Sequence, residues 1–187
     1  MVATSAGSAQ TLFDFTRADY TSNWVEASDT IKSNGMSKAV MVIQKTQMFQ
    51  RAVFFTLFIQ RPSGSGFAAV RCDTNFDISE CQNIIMKCRG HGINYRYKIL
   101  LRHKGLDKNS VVYGQVFTAP ETDFNIVKLP LLNFKPYYRG QELSLEQNPL
   151  DTSAITSISF KIDSSFYLPE NQPGVSALEV DWIKAAK

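Results

Sequence analysis

Period-two alternation of apolar and polar residues recurs along this chain, and a helical period appears nowhere. In NIIMKCR (83–89), Ile84, Met86 and Cys88 share one side of an extended strand. In NYRYKILLR (94–102), Tyr95, Tyr97, Ile99 and Leu101 share one side, while Arg96, Lys98 and Arg102 share the other. ITSISFKID (155–163) sets Ile158, Phe160 and Ile162 together, and SALEVDWIKA (176–185) turns Leu178, Val180 and Trp182 inward, leaving Glu179, Asp181 and Ile183 outward. Further β-rich runs occupy 37–44, 52–60, 67–72, 111–119 and 124–134, with Pro130 ending ladder pairing or marking an edge. Eight to ten strands, with turns every 8–15 residues, predict an all-β chain folded as an antiparallel sandwich.

The 187 residues include 13 Phe, which suits a thick sandwich core. Neither a composition break nor a repeat divides the chain, so residues 12–187 are expected to form a single domain after a disordered lead-in at 1–11. A net charge of +3 gives too little basic density for a nucleic-acid module. No apolar run reaches the ~20 residues of a membrane-spanning helix. The sequence therefore predicts neither nucleic-acid binding nor a membrane span. Its start shows neither an Arg-rich nor an apolar leader, which leaves the compartment open between mitochondrial and secreted.

The three cysteines, Cys72, Cys81 and Cys88, follow no zinc spacing, and the only histidines are His91 and His103. Free buried thiols are the favoured reading. A Cys72–Cys81 disulfide stays open for an oxidising compartment. Neither a metal site nor a cofactor is expected.

Two glycine-rich stretches invite a functional reading. GSGFAAVR (64–71) lacks the helix and the Lys-Ser/Thr pair of a phosphate loop and reads as a sheet corner. RGHGINYRYKILLR (89–102) places glycines on both sides of His91, as in a tight turn, where Arg89, His91 and Tyr95 would converge. Arg96, Lys98 and Arg102 would form a basic strip on a rigid strand, to meet a carboxylate, a phosphate or an acidic partner. Glu179 and Asp181 share one strand face and could hold an ion or do acid–base work, or simply be solvated. No nucleophile–base–orienter set is evident, so an enzyme is not expected.

Several pieces in order carry a family resemblance: LFDF (12–15), Trp24 with SDTIKSNGMSKA (28–39), GSGFAAVR, RGHGINYRYKILLR, VYGQVFTAP (112–120), VKLPLLNFKPYYRG (127–140), LDTSAITSISFKID (150–163) and ALEVDWI (177–183). Over residues 12–184 the chain resembles the complex I intermediate-associated protein family. The resemblance implies a galactose-binding-like jelly roll without catalytic residues, acting as an assembly chaperone on a respiratory-complex intermediate. Two positions depart from the pattern: Asn34-Gly35-Met36 stands for a Gly-Gly pair, and His91 for an Asp. The fold also admits a second expectation, a carbohydrate or other small ligand stacked on Trp24, Tyr137 or Tyr138 with Arg139 nearby.

Overall fold

The computed structural model describes residues 9–17, 23–31, 35–61, 66–105, 110–164 and 172–187. The strands are β1 (Gln10–Asp14), β2 (Trp24–Glu26), β3 (Lys38–Lys45), β4 (Gln50–Phe58), β5 (Phe67–Phe76), β6 (Asn83–Gly92), β7 (Arg96–His103), β8 (Val112–Thr118), β9 (Asn125–Pro130), β10 (Lys135–Tyr138), β11 (Gln141–Glu142), β12 (Ile155–Asp163) and β13 (Gly174–Ala186). Only two 3-10 turns, Asp29–Ile31 and Leu131–Asn133, interrupt them among the described residues. The fold is an antiparallel jelly-roll sandwich. One sheet runs β3-β4-β13-β6-β9 with β1 added beside β13, and the other runs β11-β10-β8-β7-β12-β5-β2. The count of thirteen exceeds the expected eight to ten because β1, β2, β10 and β11, only five, three, four and two residues long, are too short to show alternation.

Alternating residues of both sheets meet in one core. Phe54 of β4 crosses the gap to Tyr97 of β7 and Phe160 of β12, with ring centroids 6.2 and 5.9 Å apart. Ile84, Met86 and Cys88 are fully buried, as their shared parity predicts, and burial pushes the Cys88 thiol up to about 12. Cys72, Cys81 and Cys88 are all free thiols.

Three local readings need correction. Pairing begins at Gln10, inside the expected lead-in, while residues 1–8 lie outside the described residues. On β13 the register shifts between Val180 and Trp182, so Asp181 is an extra residue. This bulge reverses the parity: Ile183 becomes fully buried and Trp182 turns to the outer face. Finally, 89–92 is not a tight turn. β6 runs through Gly90 to Gly92, whose φ of +94° starts the exit, and the bend falls on Ile93–Tyr95. In GSGFAAVR, Gly64 and Ser65 lie outside the described residues, and β5 starts at Phe67.

Gly35 and Ser37 of the 28–39 motif build a structural lock. The buried Asp29 carboxylate accepts from the Ser37 and Phe67 backbone N–H groups at 3.0 and 3.2 Å and faces Arg61 Nε at 3.6 Å. A Cβ on Gly35 would collide with the Asp29 carbonyl. The lock ties the turn before β3 to the start of β5.

Candidate functional site

Two solvent faces are available, one on the back of each sheet. On the six-stranded sheet, register aligns Lys38, Leu57 and Val175 in one row and Val40, Phe55, Ala177 and His91 in the next. Val40, Phe55, Leu57 and Val175 are 49, 45, 41 and 62% exposed, so four apolar side chains on three neighbouring strands form one exposed patch. The run AVFFTLFI hides this patch from sequence reading, because apolar residues occupy both parities and the outer set mimics core.

Below the patch lies an ion-pair network. Glu179 Oε2 accepts from Arg89 Nε at 2.8 Å and pairs with His91 Nε2 at 2.7 Å, and Oε1 accepts from Arg51 Nη1 at 3.3 Å. Asp181 binds Lys87 Nζ at 2.9 Å and faces Arg51 Nε at 3.5 Å. The Arg51 guanidinium sits between the rings of Phe49 and Phe124, 4.0 and 4.1 Å from their centroids. The Glu179 side chain is only 10% exposed. Burial alone would raise its pKa, but hydrogen bonds from Arg89 and His91 and the charges of Arg89 and Arg51 outweigh it and hold the carboxyl below its ordinary value. Glu179 and Asp181 are thus not a solvated pair; cations and a ring occupy their oxygens. Phe124 and Arg51 escaped the sequence reading, since only tertiary packing brings them to β13.

Arg89 and His91 therefore do meet, on Glu179. Tyr95 does not join them. Its Cβ lies 3.9 Å from where a Cβ on Gly90 would stand, on the inner side of β6, whereas Arg89 and His91 project outward.

The back of the seven-stranded sheet carries Arg96, Lys98 and Arg102 of β7 on one parity, with Tyr137 of β10 two strands away. The strip is not solvated along its length. Lys98 is 7% exposed and bound to Asp163 at 3.2 Å, and Lys161 reaches the same Asp163 oxygen at 2.8 Å. Burial drags the Lys98 pKa down, against the opposing pull of Asp163. Arg102 donates from Nη1 to the Ser110 carbonyl at 3.1 Å. The floor is short: Ser157 and Ser159 are buried although they point outward, and Gly114 leaves room for the Tyr137 ring.

Tyr138 and Arg139 sit at the tip of the β10–β11 hairpin. Arg139 and Gly140 have φ of +49° and +85°, the pair of positive values that a type I′ two-residue hairpin loop requires. Arg139 also lies over the Tyr138 ring at 5.3 Å. Trp24 is a core residue, 7% exposed and stacked on Phe160 at 5.6 Å, so it offers no ring face to a sugar. No group of three metal-ligating side chains is found among the described residues, and no described helix is long and apolar enough to cross a membrane.

This architecture, two antiparallel sheets packed face to face, is that of a jelly roll. The family model for complex I intermediate-associated protein 30 matches residues 13–180, and the chain belongs to that family. No curated protein sequence matches the chain. Among solved structures, a family 11 carbohydrate-binding module from Clostridium thermocellum, in complex with a β-1,3-1,4-mixed-linked tetrasaccharide, superposes with a TM-score of 0.71 at 16% identity over 97% of each chain. The same family's module from a cellulosomal cellulase of Clostridium thermocellum gives 0.67 at 18% identity, covering 97% of this chain and 96% of that one. An exo-β-agarase gives 0.59 at 13% identity over 95% of this chain and 26% of its own. At these identities the likeness is one of fold.

Proposed function

We propose that this chain, with residues 12–187 as a single domain, is a non-enzymatic protein-binding module that acts as an assembly factor on an intermediate of respiratory complex I. Membership of the family over residues 13–180 carries this reading. The back of the six-stranded sheet supports it physically: an apolar patch of Val40, Phe55, Leu57 and Val175 beside a rigid charged rim has the composition of a protein interface. Arg89 and His91, both partly exposed, are the rim groups able to meet an acidic partner.

The test is capture of complex I intermediates from mitochondrial extract. Phe55→Thr/Leu57→Thr keeps strand propensity and should abolish capture, while Arg102→Ala/Tyr137→Ala on the other sheet should retain it. Capture unaffected by the first pair would refute docking through this face.

A second reading, carbohydrate binding, is favoured by one feature. The partly exposed Tyr137 ring lies beside Gly114 and Val112, and Arg102 and Ser157 face each other on the same side of the sheet. Retardation in a gel containing mixed-linked β-glucan, lost in Tyr137→Ala, would establish it.

A further inference from the structure

At one end of the sandwich, away from both faces, the loop before β6, the 3-10 turn Leu131–Asn133 and the loop leading into β12 enclose a pocket of about 550 Å³. That volume falls in the range of small-molecule sites. Leu131, Leu132, Leu145 and Leu150 line it together with two prolines, and no charged side chain does. Leu132 and Leu145, 86 and 40% exposed, form an apolar lip in contact with water. The polar part of the lining is Gln82, Asn83 and Thr152, of which Asn83 is the buried one. This residue is 5% exposed, its backbone pairs with Pro130 and Ala186, and it borders the pocket.

We infer that this pocket is a binding site for a neutral, mostly apolar small molecule carrying one hydrogen-bonding group, which the Asn83 carboxamide receives while the leucines cover its hydrocarbon body. The absence of charge in the wall excludes an ionic ligand, because burying an unpaired charge there would cost more than the apolar contacts return. The site is independent of the sheet faces and of the partner that docks on them.

Two probes with one ring skeleton test the inference: N-phenyl-1-naphthylamine, which is neutral with a single N–H, and its 8-sulfonate, which adds a fixed negative charge. Titration of the full chain should give saturable one-to-one fluorescence enhancement with the neutral probe, changing less than about twofold between low and high salt. The sulfonate should bind at least about tenfold more weakly. Leu132→Asp, at a side chain exposed enough to spare the fold, should weaken the neutral probe by about tenfold or more. Asn83→Leu, matched in shape, should weaken it about fivefold. The inference is overturned if the sulfonate binds as tightly as the neutral probe, if Leu132→Asp binds like wild type while its melting curve is unchanged, or if no saturable binding occurs.

Discussion

Arg89 Nε donates to Glu179 Oε2 at 2.8 Å across the β6–β13 ladder, and the two residues are direct register partners. Glu179 is the hub of its face, because Arg51 and His91 converge on the same carboxylate. Replacing it leaves three cationic or polar groups around a void. Glu179→Ala is expected to cost about 3 kcal/mol in urea denaturation, since one partner of a largely buried pair is removed. A loss under about 0.5 kcal/mol would mean that the network is solvated.

The same carboxylate sets an acid limit. Its folded pKa is held below the unfolded value, so its contribution is fully present above the unfolded value of about 4.3 and fades as pH falls through the folded one. The stability gap between wild type and Glu179→Gln should therefore be flat near neutrality and narrow below about pH 4. A gap that widens on acidification would reverse the assignment.

Lys98 and Asp163 make a different kind of pair. Lys98→Met removes the buried ammonium and its desolvation cost while Lys161 keeps Asp163 paired, so stability should change by less than about 1 kcal/mol. Asp163→Ala strands both Lys98 and Lys161 and should cost about 3 kcal/mol. The triple change Arg96→Ala/Lys98→Ala/Arg102→Ala also removes the buried Lys98 stem and the Arg102 bond to the Ser110 carbonyl, and is expected to lower the melting temperature, against the solvated strip that parity alone suggests. An unchanged melting temperature would show the strip to be exposed in solution.

Gly92 combines a φ of +94° with close approach to β13: an added Cβ would stand 2.5 Å from the Val175 carbonyl oxygen and 2.9 Å from Ser176 Cα. Gly92→Val should destabilise by about 3 kcal/mol, measured by thermal melting. A cost no larger than that of an ordinary surface change would mean that the exit from β6 adapts freely.

Thiol chemistry should separate the three cysteines. Cys88 and Cys72 are buried, with burial raising them to about 12 and about 11, whereas Cys81 is half-buried. Native labelling at pH 8 should modify Cys81 first and reach the other two only on unfolding, as read by peptide mass mapping. Early labelling of Cys88 would contradict its place in the core.

The sequence by itself determined the fold class and most of the core. Alternation is a local property of an extended chain, so Ile84, Met86, Cys88, Tyr97, Ile99 and Phe160 announce their inward side without reference to any other strand. It also determined the family, because the ordered motifs span most of the chain. It could not determine where parity breaks. The bulge at Asp181 exchanges Trp182 and Ile183, and only pairing with β6 reveals it. Nor could it say which outward residues are wet. Lys98 and Arg89 both alternate outward, yet Asp163 and Glu179, 65 and 90 residues away in the chain, hold them. The apolar patch on β3, β4 and β13 and the pocket beside Asn83 were likewise decided by tertiary structure alone. An apolar side chain has the same local signature whether a second sheet covers it or water does, and only long-range packing assigns that cover.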